Sequence, residues 1–123
     1  SSDKSEFMIG YFTKHGDGAS DITPIISLYK LQVRGIAKYL GIPDNIISKK
    51  SSPHLWKDHE AENELGISYE EIDSVLYCMD KKKLSVEDTE KITMIEKSKI
   101  QKIQELILKS EHKRLGAQKP DIN

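Results

Sequence analysis

The stretch Thr23–Gly41, TPIISLYKLQVRGIAKYLG, reads as one amphipathic helix. Its apolar residues Ile25, Leu28, Tyr29, Val33, Ile36, Ala37 and Leu40 recur at the spacing of a single helix face. Thr23 offers an N-cap oxygen, and Pro24 fills the first helical position, where a missing N–H costs nothing. Gly41 is the residue type that ends a helix in the left-handed conformation. Working outward, Asp3–Thr13 carries Phe7, Met8, Ile9, Tyr11 and Phe12 and reads as a short helix or helix end. It runs into a turn, Gly16-Asp17-Gly18, whose glycines permit positive φ. On the other side, Ile42-Pro43 starts a short helical turn through Ile46 and Ile47. From Ser48 to Gly66 the periodicity dissolves into polar and charged residues. Loops this long are functional or disordered, and this one is expected to be mobile without ligand. Ser68 and Glu71 form a capping-box pair ahead of Ile72, Val75 and Leu76. Asp80–Lys83 reads as a solvated connector. Ser85 and Asp88 then open the last and longest helix, about 86–114, with Ile92, Ile95, Ile103, Leu106 and Ile107.

A chain of 123 residues supports one domain with a modest core. It is 37% hydrophobic and 32% charged, the balance of a helix-rich surface or of a piece whose apolar partner is elsewhere. A formal charge of −1 gives no global field to draw in nucleic acid, so an anionic ligand has to be met by local lysines. The basic end Lys109–Arg114 is diluted by Glu105 and Glu111 and has no interleaved aromatic residues for base stacking. Cys78, alone in the chain, forms no internal disulfide and reads as a buried structural thiol, which fits a reducing cytoplasm. No apolar run approaches the ~18 residues of a membrane span. His54 and His59, with Asp58 and Glu60 nearby, lack the converging ligands of a zinc site and read as a solvated loop. No central strand is legible. Helices separated by long loops suit a layer that covers a sheet supplied by other residues.

Three stretches carry a family likeness: EFMIGYFTKHGDGASDITP (Glu6–Pro24), LYKLQVRGIAKYLGIP (Leu28–Pro43) and ELGISYEEID (Glu64–Asp73), with Glu111-His112-Lys113-Arg114 at the far end. In residues, order and spacing they resemble the carboxyl-terminal half of the NAD synthetases that use free ammonia. The resemblance implies an α/β, Rossmann-like fold of the ATP pyrophosphatase (PP-loop) group, of which residues 1–123 form the mostly helical carboxyl-terminal part. It implies a cytoplasmic homodimer. It also implies a two-step ligase reaction: ATP adenylates the carboxylate of deamido-NAD, and ammonia then displaces AMP to leave NAD. Such chemistry needs Mg²⁺ and cations around the phosphate charge, and a site where neutral ammonia meets an activated carbonyl away from water.

Position by position, the resemblance places a magnesium-binding glutamate at Glu6. Deamido-NAD contacts fall at Lys14, Asp21, His112 and Lys113, and ATP contacts at Ser1, Lys30 and Ser52. It makes Lys30 and Asp17 the catalytic residues, Asp17 as the carboxylate that orients ammonia or ammonium, and it sets Tyr11 against the nicotinate ring. Without the resemblance, Glu6 is a surface acid, Lys14, Lys30 and Lys113 are solvated charges, Asp17 and Asp21 are turn residues, and Tyr11 is core. The family's phosphate loop, Ser-Gly-Gly-x-Asp-Ser, is expected upstream of Ser1, so this segment is expected to be inert by itself. Two departures stand out. The family's Gly-Gln-Thr-Asp-Glu type of run is replaced by Lys57–Asn63, with the glycine gone and an acidic position turned into Ala61. Ile26-Ser27 replaces a common Gly-Asp. The competing readings are a diverged sibling amidoligase of the same fold and a non-catalytic helical dimerisation fragment.

Overall fold

The computed structural model describes residues 1–52, 55 and 57–122. His54, weighed above as a metal ligand, lies outside them. Among the described residues eight α-helices follow one another: α1 (Lys4–Ile9), α2 (Lys30–Tyr39), α3 (Asp44–Ile47), α4 (Ala61–Leu65), α5 (Tyr69–Leu76), α6 (Val86–Thr93), α7 (Lys97–Lys109) and α8 (Glu111–Arg114). A π-helical turn, Tyr77–Lys81, continues α5. No strand occurs among the described residues, and no helix there is long and apolar enough to cross a membrane.

The core is organised around α5, which packs against α1, α2, α6 and α7. Tyr69, Ile72, Val75 and Leu76 on α5 are buried against Ile9 of α1 and Ile100 and Ile103 of α7. Each such aliphatic side chain contributes roughly 1.5–3 kcal/mol on burial. The Ser68–Glu71 capping box forms as read: Glu71 N–H donates to Ser68 Oγ at 3.2 Å and Ser68 N–H to the Glu71 carboxylate at 3.0 Å. Asp3 and Glu6 build a second box at α1. Cys78 is buried, as expected.

Four sequence expectations are corrected. The helix read from Thr23 to Gly41 begins only at Lys30, because residues 24–27 form a turn closed by Ile26 N–H to Thr23 C=O. Its C-terminal end is as read, with Gly41 at φ 76°. The stretch 48–66 is not all loop: α4 occupies its end, with Ala61 and Leu65 in the core. Ala61 N–H donates to Ser51 C=O at 2.9 Å and draws the loop's two ends together. Asp80 and Lys81 belong to the π-helical turn, and Asp80 pairs with Lys4 at 3.1 Å rather than standing in solvent. The long helix over 86–114 is three helices. Met94 takes φ 60° after α6, and Thr93 Oγ1 accepts the Ile95 N–H at 3.2 Å, so the chain turns before α7 starts. No glycine or proline marks that break, which is why periodicity runs through it. The apolar stripe of α2 is also less covered than its pattern implies: no α2 residue is buried, and Tyr39 is 90% exposed.

Glu71 serves both the α5 cap and an ion pair with Lys99 at 2.6 Å. The hydrogen bond from Lys99 holds its carboxyl below the usual glutamate range against the opposing effect of burial, with help from the Ser68 N–H. A folded pKa below the unfolded one means that this stabilisation is complete above about 4.3, the ordinary glutamate value, and is lost as pH falls through the folded value. Glu71→Ala should therefore cost about 1 kcal/mol at pH 7 and much less at pH 3, as read from thermal unfolding at both pH values.

Candidate functional site

Lys30 opens α2, and its ammonium lies 2.5 Å from Asp3 Oδ2 and 2.7 Å from Glu6 Oε1. The Asp3 side chain is 2% exposed and that of Lys30 14%, so this is a largely desolvated cation between two carboxylates. The ring of Tyr69 sits 4.9 Å away. Burial by itself would lower the lysine's pKa. The charge of Glu6 and hydrogen bonds to Asp3 and Glu6 instead carry it above its ordinary value, so Lys30 stays charged through the neutral range. Glu6 arrives here because the Asp3 cap sets the first turn of α1: Asp3 Oδ1 accepts the Glu6 N–H at 2.9 Å.

Beyond the C-terminal end of α1, a cleft is lined by Gly10, Tyr11, Phe12, Thr13, Asp17, Leu55, His59, Glu64 and Lys113. A second hollow shares Phe12, Asp17 and Lys113 and adds Lys14, His15 and Arg114. Lys113 donates to the carbonyls of Gly10 at 2.7 Å and Phe12 at 2.9 Å. Arg114 donates to Met8 C=O, Ser110 Oγ and Ile107 C=O, tying α8 to α1 and α7. Lys14 reaches across to the His112 carbonyl at 2.9 Å. On the cleft wall, the Glu64 carboxylate accepts from the Tyr11 hydroxyl at 2.6 Å and meets His59 Nε2 at 2.7 Å. Burial, with Glu64 and Glu6 nearby, pushes the Tyr11 hydroxyl's pKa up, so it remains a donor.

The residues singled out from sequence thus gather in two places. Glu6 and Lys30 meet at the α1–α2 junction, while Tyr11, Asp17 and Lys113 line the cleft and Lys14 lines the hollow that adjoins it. His112 is exposed at the cleft's edge and lends its backbone carbonyl to Lys14. Asp17 is held by the N–H and hydroxyl of Thr13 at 2.7 and 2.5 Å. Ser1 and Asp21 are exposed, with the Ser1 ammonium near enough to Asp17 to act on its carboxyl, and Ser52 is half-buried at the start of the long loop. His59, read as a solvated loop residue, is 4% exposed. Neither Gly16 nor Gly18 takes a positive φ; a Cβ on Gly18 would lie 2.8 Å from two backbone oxygens, so close packing is what requires glycine there. Sequence reading missed Asp3, Ser5, Asp73, Glu64 and Arg114. The signal for Asp3 was in view, since Asp ahead of a helix with Glu three residues later is a capping pair. The others act through long-range contacts that no local pattern encodes.

Two substitutions probe this architecture. Gly10 has φ 75°, and a Cβ there would lie 2.0 Å from Ser110 Cβ. Gly10→Ala should cost roughly 2–4 kcal/mol in chemical denaturation, from combined strain and overpacking. Gly116→Ala, with open space around it, should be near neutral. In the loop ahead of α4, Asp58 takes φ 56°. Asp58→Gly should stabilise by about 0.5 kcal/mol and Asp58→Val destabilise by about 1–2 kcal/mol in the same assay.

Comparison with known proteins follows this geometry. The NAD synthase family model matches residues 1–117. The NH(3)-dependent NAD(+) synthetase of Aeropyrum pernix is 48% identical over 120 residues, which is 98% of this chain and 42% of that protein. The enzyme of the same name from Staphylothermus marinus is 51% identical over 98% of this chain and 44% of its own length. Among solved structures, the NMN synthetase from Francisella tularensis superposes with a TM-score of 0.76 at 37% identity, covering 98% of this chain and 45% of that one. The chain spans a little under half the length of these relatives. With its family motifs gathered at the α1–α2 junction and around the cleft, it belongs to the NAD synthase family.

Proposed function

We propose that this chain is the carboxyl-terminal part of a cytoplasmic, homodimeric ligase of Rossmann-like PP-loop fold that converts deamido-NAD and ammonia to NAD with ATP and Mg²⁺, through an adenylated carboxylate. The observation that carries the proposal is Lys30, a desolvated ammonium kept charged between Asp3 and Glu6. A fixed cation beside a carboxylate suits a polyphosphate with its metal, because preorganised charge stabilises phosphate oxygens without reorganising in the reaction. Family membership and the 48–51% identity to proteins named NAD synthetases support the same reading.

The residues fit a magnesium ion. Glu6 offers a hard oxygen donor beside the Lys30 cation, and Mg²⁺ takes one or two carboxylates and completes its shell with phosphate oxygens and water. Bound there, it would neutralise charge on the phosphates. Lys30 would contact ATP from its place beside Glu6, with Ser1 and Ser52 as further ATP contacts. Lys14, Lys113, Asp21 and His112 hold deamido-NAD in and around the cleft, where Lys113 is already aimed by two carbonyls. Tyr11 stacks on the nicotinate ring, and Asp17 orients the ammonia. The exposed Tyr39, Leu40, Ile42 and Ile46 on and after α2 provide apolar surface for contact within the dimer.

The structural relative named for NMN raises a mononucleotide as the acceptor. The dinucleotide is preferred because the relatives named for NAD are the more similar in sequence. In the complete protein, Lys30→Ala should lower amide formation by about 10²–10³-fold, while the dimer persists by light scattering. Unchanged turnover would remove the assignment. Supplying deamido-NAD and nicotinate mononucleotide in parallel separates the two acceptors.

A further inference from the structure

Tyr29, the N-cap residue of α2, makes no side-chain cap hydrogen bond. The first N–H groups of a helix need acceptors from somewhere. Here they come from another helix. Leu31 N–H donates to Asp73 Oδ2 at 2.8 Å, and Lys30 N–H donates to Ser5 Oγ at 2.9 Å. The Ser5 hydroxyl in turn donates to Asp73 Oδ1. One buried carboxylate, 5% exposed on α5, therefore receives both N–H groups, one directly and one relayed through α1. Tyr69, one turn earlier on the same face of α5, lies against the Lys30 ammonium. So α5 holds both ends of Lys30, its backbone through Asp73 and its charged tip through Tyr69.

We infer that Asp73 is a positioning residue for the Lys30 ammonium: by capping α2 in trans, it fixes the backbone from which Lys30 reaches the ATP site. The inference rests on the proposed contact between Lys30 and ATP. Nothing in Asp73 touches the phosphates. Removing its second anionic oxygen leaves Leu31 or the Ser5 hydroxyl without an acceptor, and the first turn of α2 shifts. A cation displaced by a fraction of an ångström loses much of its hydrogen bonding to an anion.

The test is a double-mutant cycle in the complete protein, read as the dissociation constant for Mg²⁺-ATP by titration calorimetry, with thermal unfolding recorded alongside. Asp73→Asn should weaken ATP about tenfold when Lys30 is present and less than about twofold in the Lys30→Ala background, because the pair acts through one group. Ser5→Ala, which cuts only the relay, should show the same dependence on Lys30 and serves if Asp73→Asn folds poorly. A lowered unfolding midpoint with unchanged ATP affinity would mean a purely structural role and overturn the inference. So would equal weakening in both backgrounds. If Lys30→Ala weakens ATP and Asp73→Asn does not, this inference alone falls. If Lys30→Ala binds ATP as the parent does, the assignment of Lys30 falls with it.

Discussion

The desolvated Lys30 ammonium is the constraint to which the rest of the molecule answers. A charge removed from water is stable only if its partners are in place, and losing one partner of such a group costs roughly 3–5 kcal/mol. Exposed pairs such as Lys97–Glu87 and Lys109–Glu105 contribute little by comparison. Two partners come from the start of α1, where the Asp3–Glu6 capping box that opens the helix also aims both carboxylates. The packing of α1, α2 and α5 is thus tied to a polar centre, with the aliphatic residues of α5 and α7 closing around it. Apolar burial supplies most of the stability, and the buried charges limit how those helices can be set.

A second polar fixture works at the far end of the chain. Among the described residues Lys113 and Arg114 pair with no carboxylate; they take the carbonyl oxygens of Met8 at the end of α1 and of Gly10 and Phe12 just beyond it, together with Ile107 C=O and Ser110 Oγ. The last carbonyls of a helix lack partners within it and carry its negative pole, so a cation is favoured beside the end of α1. Arginine's planar fork bridges α1, α7 and α8 at once in a way an ammonium does not. Helix α1 accordingly meets the proposed ATP residues at its N-terminal end and the cleft at its C-terminal end. Its short length, Lys4–Ile9, sets the distance between them.

What the sequence made legible was local. The Ser68–Glu71 cap, the left-handed Gly41, the turn at Pro43 and the buried Cys78 all follow from a residue and its near neighbours. Periodicity failed where the break had no punctuation. Met94 adopts a conformation usually left to glycine or asparagine, and Thr23-Pro24, a good helix start, opens only a turn. Motif resemblance brought Glu6 and Lys30 into view together, and the fold sets them 2.7 Å apart. Asp73 stood at the end of a quoted motif, yet its role depends on Ser5 and Leu31, distant in sequence. No spacing rule reaches that far.

The loop departures are the hardest part of the sequence to read as chemistry, and their structural side is informative. Within the run Lys57–Asn63, Asp58 takes a left-handed φ of 56°, a conformation in which glycine is the usual residue. Asp is among the few residues that adopt this conformation at modest cost. Ala61, standing at an acidic family position, is fully buried beneath the loop, and its N–H closes the loop on Ser51. A carboxylate at that place would need either a partner or a route to solvent. Glu64, three residues further along α4, binds Tyr11 and His59 at the cleft wall. Position 61 thus belongs to the core, and the acidic side chain of α4 that a substrate in the cleft would meet is Glu64, which stands within a stretch that carries the family likeness.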